Sequence, residues 1–244
     1  MNIVRQEFPA QPLGERPGEA GRLRAGRSGA GAIMFSMPGP LLPLFPLQVV
    51  LFPRTFLPLH IFEDRYKTMF GDVRASTGEF GIVQASEQGI VNWGCTATIE
   101  RVVREYPDGR VDILTLGRRR FELIGLDDEK PYLRGQVEYF EDDEEPEAPD
   151  EVIRKALAGY EVLKEASDSQ VIGEPQADDP QLSWQLAQLV PDLDFRQTLL
   201  GTRSETERLK RFAEFVPGYL LRRKHVARIK ELAPRNGHAK VKIQ

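Results

Sequence analysis

From Leu41 to Tyr66 the chain reads LLPLFPLQVVLFPRTFLPLHIFEDRY, apolar at nearly every position but without a helical or strand period, and cut by Pro43, Pro46, Pro53 and Pro58. Prolines at that density exclude a continuous helix and argue against a central strand. An irregular apolar run left in water would aggregate, so this stretch is expected to be buried as extended pieces joined by fixed bends. Its end changes character. Ile61, Phe62, Tyr66, Met69, Phe70 and Val73 recur at helical spacing, with Glu63 and Asp64 in the first turn, which predicts a helix from about His60 to Ala75.

The following hundred residues alternate with period two. Glu79 to Ala85 reads as a short strand, and Cys95 to Tyr106 and Val111 to Leu116 read as a hairpin joined by Pro107-Asp108-Gly109. Gly117 separates that hairpin from a further strand, RRRFELIGL, and Tyr132 to Phe140 completes the set. Five or six antiparallel strands around one helix predict a small closed or nearly closed barrel.

After Phe140 the pattern changes again. Glu141 to Glu151 holds eight acids in eleven residues and reads as a solvated linker, with docking of a basic partner as its other use. Val152, Ile153, Ala156, Leu157, Tyr160 and Leu163 then form a helical stripe. Asp179-Pro180 suits the start of a short helix carrying Leu182, Leu186, Leu189 and Val190, and Asp194 to Gly201 reads as a second. Thr202 with Glu205, or Ser204 with Glu207, makes a capping box for a last long helix bearing Leu209, Phe212, Val216 and Leu220, which Pro217 should kink or divide.

The order of residues in the opening stretch resembles a known family. Pro43, Leu44, Phe45, Pro46, Leu47, Val50, Leu51, Phe52 and Pro53, then Leu57, Pro58, Leu59, Ile61, Phe62, Glu63, Arg65 and Tyr66, match the opening of the Lon amino-terminal, substrate-binding domain. Gly117, Arg120 and Phe121 match its second recurrent feature, and DFRQTLLGTRSETERL resembles its helical half, so the resemblance covers about Pro40 to Leu232. It implies an α+β fold: a PUA-like β-barrel lobe over 39–140, the acidic linker over 141–149 and a helical-bundle lobe over 150–234, with a tail over 235–244. Residues 1–36, rich in Gly and Arg and poor in large apolar side chains, are expected to be a disordered head, or an extension upstream of a true start at Met34 or Met37.

Composition narrows the chemistry. The 244 residues are 41% apolar and 29% charged with a net charge of −4, which gives no general electrostatic footprint for nucleic acid. The single Cys95 excludes an internal disulfide and a multi-cysteine zinc site and favours a reducing compartment, here read as cytoplasmic. No apolar run reaches the length of a membrane span. His60, His225 and His238 are too far apart for a ligand pair, and no metal or other cofactor is expected. No G-x-x-x-x-G-K-[ST] phosphate loop occurs in the sequence, and none of its serines sits in a G-x-S-x-G elbow, so neither the ATPase nor the peptidase module of Lon is expected and the chain is read as non-catalytic. His60 reads as a core-edge histidine, with general base as the rival. Cys95 reads as a small buried apolar residue.

The resemblance implies a substrate-recognition module that binds unfolded or degron-bearing polypeptides, with an ATP-dependent protease as a further partner. The alternative is an RNA-binding PUA-like module, for which Arg118–Arg120 and the basic group Arg222, Arg223, Lys224, Arg228 and Lys230 would supply phosphate contacts. Phe45, Leu47, Phe52 and Phe56 are the candidate peptide contacts, set along the irregular stretch beside the cleft between lobes.

Overall fold

The computed structural model describes residues 41–86, 89–167 and 174–232, with side chains described to 229. The predicted head over 1–36 and tail over 235–244 lie outside these residues. Six strands, β1 (Leu42–Leu47), β2 (Phe56–Ile61), β3 (Glu79–Ser86), β4 (Gly89–Glu105), β5 (Val111–Asp127) and β6 (Arg134–Phe140), form one sheet in the order β2-β5-β4-β3-β1-β6. A further β5–β6 pairing closes it, so β1, β3, β4, β5 and β6 make a ring with β2 attached outside. Helix α1 (Asp64–Ala75) packs Tyr66, Met69, Phe70 and Val73 against the same apolar core. Four helices follow: α2 (Asp150–Glu165), α3 (Leu182–Ala187), α4 (Leu193–Gly201) and α5 (Glu205–Leu232).

The proline-rich run forms strands after all. β1 is flanked on both sides, but its partners succeed one another: β6 pairs Leu42 and Pro43, and β3 pairs Leu44 to Leu47. Leu44 donates its N–H to Leu133 O at 2.8 Å on the β6 side. Backbone groups alternate in direction along a strand, so Pro46 turns its missing donor to the β6 side, past the end of that pairing. Pro43 turns its own toward β3 just before that pairing begins. Pro58 lies in β2, which among the described residues has β5 as its sole neighbour and can leave the proline nitrogen on the open edge.

β5 holds the fold together. Its first half, Val111–Leu116, pairs β2, and its second half, Arg120–Asp127, pairs β6, while β4 runs along its other side from Val111 to Glu122. Gly117 marks the change of partner. Its N–H donates to Thr55 O and its carbonyl accepts from Arg54 N, both within 2.9 Å. A Cβ at Gly117 would lie 2.1 Å from the Phe52 carbonyl oxygen. The separation expected at Gly117 is therefore not a strand break but the point where one continuous 17-residue strand meets the bend at Pro53–Thr55.

Other expectations shift for tertiary reasons. The helix predicted from His60 begins at Asp64, because His60 and Ile61 extend β2 against Asp112 and Val111. The hairpin turn forms as read: Gly109 adopts φ 81°, and Tyr106 donates to Arg110 O at 2.9 Å. Ser204 caps α5 by accepting from Glu207 N at 3.0 Å. Pro217 does not divide α5; it is exposed, so water can serve the carbonyl that loses its donor.

The helical segment does not keep a core to itself. Ala156, Tyr160, Leu163, Leu186, Leu209 and Phe212 of α2, α3 and α5 form one cluster, but Trp184, Ala187, Leu199 and Leu200 of α3 and α4 join the barrel core. Trp184 stacks on Phe52 with ring centroids 5.2 Å apart. Gly117→Ala is expected to destabilise the protein by about 1–3 kcal/mol or to prevent folding, since the added methyl meets backbone that cannot yield; urea unfolding monitored by Trp fluorescence measures this.

Candidate functional site

The seam between barrel and helices is polar and buried. Arg120 points out of β5 into it, donating to the carbonyls of Leu200 (3.0 Å) and Thr202 (2.7 Å) and to Asp142 Oδ1 (2.5 Å). Arg208 of α5, which is 0% exposed, grips both oxygens of Asp142 at 2.6 Å and also bonds Glu205, Thr202 O and Ser183 Oγ. Its guanidinium lies 4.0 Å from the Trp184 ring centroid. Two arginines thus share one carboxylate.

Burial alone would raise the Asp142 carboxyl, but the hydrogen bonds and charges of Arg208 and Arg120 outweigh it and hold the group below its usual range. The two arginines shift in opposite directions. Burial is the larger influence on Arg120, whose pKa falls because it has one carboxylate and is repelled by Arg208. Burial also opposes the charge on Arg208, yet Asp142 and Glu205 together raise its pKa.

Two expectations from the sequence do not hold here. Arg120 cannot supply the phosphate contact expected of Arg118–Arg120: it is buried at the seam, while Arg119 makes a two-pronged pair with Glu79 at 2.8 and 3.3 Å and Arg118 donates to Thr98 Oγ1 at 3.1 Å. The acidic stretch 141–149 is not merely a solvated connection. Asp142 serves the arginines, Asp143 N donates to Arg203 O, and Glu145 accepts from Ser204 Oγ and Thr206 N at the start of α5.

Of the candidate contacts, Phe45, Leu47 and Phe52 are core residues at 5%, 5% and 0% exposure, so they hold the barrel together and offer no surface to a ligand. Phe56, at 61%, stands free at the start of β2. It lines a cavity of about 430 Å³ with Arg54, Leu116, Gly117, Arg118 and Arg119, in the gap where β5 has left β2 and not yet met β6. Sequence periodicity carries no signal that separates Phe56 from Phe52. The separating feature is the bend between them.

Arg54 sits in that bend with φ 60°, the left-handed region that costs a side-chain-bearing residue roughly 1 kcal/mol or more. Its Nη1 donates to Asp179 Oδ1 at 2.7 Å, tying the bend to the loop before α3. Arg54 also lines a second cavity of about 1240 Å³ between barrel and helices. That cleft has eight carboxylates in its walls, among them Glu147, Asp150 and Asp178, with the half-buried Ile153 and Leu157 as its apolar floor. A third, mostly apolar groove of about 1050 Å³ runs between α2 and α5 past Val162, Pro217 and Leu221.

Residues 41–217 match the family described as the ATP-dependent protease La (LON) substrate-binding domain. The chain belongs to that family. Its fold is similar to that of a Lon N-terminal domain protein from Xanthomonas campestris, with a TM-score of 0.60 and 26% identity over 73% of this chain and 99% of that one. The N-terminal domain of the Lon protease of the Mycobacterium avium complex shares the fold at a TM-score of 0.54 and 18% identity. Among curated relatives, Lon protease 2 of Herpetosiphon aurantiacus is 30% identical over 70% of this chain, and the Lon protease of Parabacteroides distasonis is 29% identical over 57%. The chain spans 23% and 18% of those two proteins' own lengths.

The groups weighed for catalysis in this Lon-type domain occupy structural positions. Cys95 is fully buried and its thiol is pushed up to about 12 by burial, far from a nucleophile's range. Ser183 donates to Glu205 Oε2 at 2.6 Å and accepts from Arg208, inside the seam. His60 bonds Asp112 Oδ1 at 2.5 Å through Nδ1, and Tyr106 OH donates to the other oxygen at 2.8 Å, which joins β2 to β5. Among the described residues no group of three or more His, Cys, Asp or Glu could hold a metal ion, and no helix is long and apolar enough to cross a membrane.

Asp142→Asn is expected to cost about 3–5 kcal/mol at pH 7, because it leaves the buried Arg120 without its carboxylate partner and Arg208 with Glu205 alone. The sign of the pH dependence follows from the depressed folded-state pKa. The carboxylate's contribution is complete above its ordinary value of about 3.9 and is lost as pH falls through the lower folded value. The gap between parent and variant in urea unfolding should therefore be constant from pH 7 to about 5 and close below about pH 4.

Proposed function

We propose that this chain is a non-catalytic module that recognises unfolded or degron-bearing polypeptides in the cytoplasm and supplies them to an ATP-dependent protease. The observation that carries this reading is the exposed Phe56 at the mouth of the cavity beside Arg54, on the face that continues into the cleft between barrel and helices. Membership of a substrate-binding family supports it. An extended polypeptide would set an apolar side chain on Phe56 and Leu116 and continue past Arg54 over the apolar floor of the cleft. Burying one such side chain contributes about 1.5–3 kcal/mol, so several contacts along the path give micromolar binding without an enclosed pocket.

Binding of a permanently unfolded, fluorescently labelled protein tests this directly. Phe56→Ser is expected to weaken binding at least about tenfold with stability changed by less than about 0.5 kcal/mol, since the side chain is exposed. Phe52→Ala is expected to cost about 3–5 kcal/mol of stability instead. Equal binding by parent and Phe56→Ser would contradict the placement of the site.

Purified chain incubated with casein, ATP and magnesium is expected to show neither ATP hydrolysis nor cleavage. Turnover that survives several columns and disappears on mutation of Ser183, Cys95 or His60 would overturn the non-catalytic reading.

A further inference from the structure

The cavity beside Phe56 differs from the adjoining cleft in the sign of its charge. Its walls supply Arg54, Arg118 and Arg119 together with Phe56 and Leu116, and no carboxylate. The partners of those arginines, Asp179, Glu79 and Glu100, stand outside it. Each guanidinium has five N–H donors, and the hydrogen bonds to Asp179, Thr98 and Glu79 use one or two on each, leaving donors for a ligand. The side chains of Arg118 and Arg119 are about half exposed, so these donors are reachable.

Resting on the polypeptide-binding reading, we propose that this cavity takes the free C-terminal carboxylate of a polypeptide whose last residue is aromatic or aliphatic. The carboxylate would be held by the forked donors of Arg118 and Arg119, with the terminal side chain against Phe56 and Leu116. A volume of about 430 Å³ suits one or two residues and not a longer segment. The rest of the peptide then leaves past Arg54 toward the acidic cleft, where basic side chains find complementary charge. The backbone conformation of Arg54 agrees with this direction. A side-chain-bearing residue takes the left-handed conformation where glycine would be relaxed, and its guanidinium stands between the cationic cavity and the acidic cleft.

Phosphate would also meet three arginines and an aromatic ring here, so single-stranded RNA is the competing ligand. Charge decides against it. A nucleic-acid backbone extending from this cavity runs onto a cleft whose walls set eight carboxylates, four of them ion-paired, against only Arg54 and Arg154, whereas a polypeptide has one anionic end and need carry no further negative charge.

Fluorescence anisotropy with an unstructured peptide ending in Leu-Phe, compared as free acid and as C-terminal amide, tests the proposal, with a single-stranded RNA oligonucleotide as a third probe. The free acid is expected to bind about tenfold or more tighter than the amide, a preference that Arg118→Gln removes and Phe56→Ser leaves in place while weakening both peptides. Arg118→Gln touches an exposed side chain and should fold normally, which circular dichroism checks. Equal binding of acid and amide while an unfolded protein is still bound would overturn the end-recognition inference alone. Failure to bind peptides and unfolded protein alike would remove the polypeptide reading with it. RNA binding tighter than the free-acid peptide and lost in Arg118→Gln would assign the cavity to phosphate.

Discussion

The carboxylate of Asp142 is the point on which the two halves of the molecule depend. Arg120 reaches it from the barrel and Arg208 from the last helix, and without it Arg120 would be buried with no carboxylate partner and Arg208 would keep Glu205 alone. A buried ion pair is weak evidence for extra stability, since apolar residues of the same shape can do as well. Its effect is on geometry. Arg208 has hydrogen-bonding partners in Asp142, Thr202, Glu205 and Ser183, so it fixes the start of α5, the loop before it and α3 relative to one another. Trp184 then has one place to lie, between Phe52 and the face of Arg208. The cleft is the space left above that seam.

A second constraint sets the other end of the site. β5 must change partner from β2 to β6, and it does so at a residue where no side chain fits against the Phe52 carbonyl. The bend Pro53–Thr55 is held by Gly117 through two backbone hydrogen bonds. Phe52 is thereby placed under the bend and Phe56 beyond it. One aromatic side chain completes the core, and the other is left at the rim of a cavity lined with arginines. The apolar run that organises the sequence therefore serves two purposes, divided at Arg54.

Much of the architecture was legible because it is written locally. Alternation up to Phe140 and helical periodicity after Asp150 separated strands from helices, Pro107-Asp108-Gly109 marked the hairpin turn, and two overlapping capping boxes, Thr202 with Glu205 and Ser204 with Glu207, marked the start of α5, where Ser204 is the residue that accepts from Glu207 N. What escaped depends on partners far along the chain. Arg120 looked like its exposed neighbours Arg118 and Arg119 because its ligands lie at Asp142, Leu200 and Thr202. Asp142 looked like its solvated neighbours for the same reason. His60 carried a helical pattern, but a ladder position opposite Asp112 overrode it. The packing of Trp184 and Leu199 into the barrel core could not be read from periodicity, which reports that a face is buried and not against what.

Hydrogen exchange of the intact chain, measured with and without a permanently unfolded polypeptide, tests most directly whether this face is where polypeptides bind. Slowed exchange is expected in the bend and the strand start at 54–57, in β5 around 116–119 and in the loop at 177–182, with the groove between α2 and α5 unchanged. Protection confined to that α2–α5 groove, or none anywhere under conditions where binding is established, would contradict this placement.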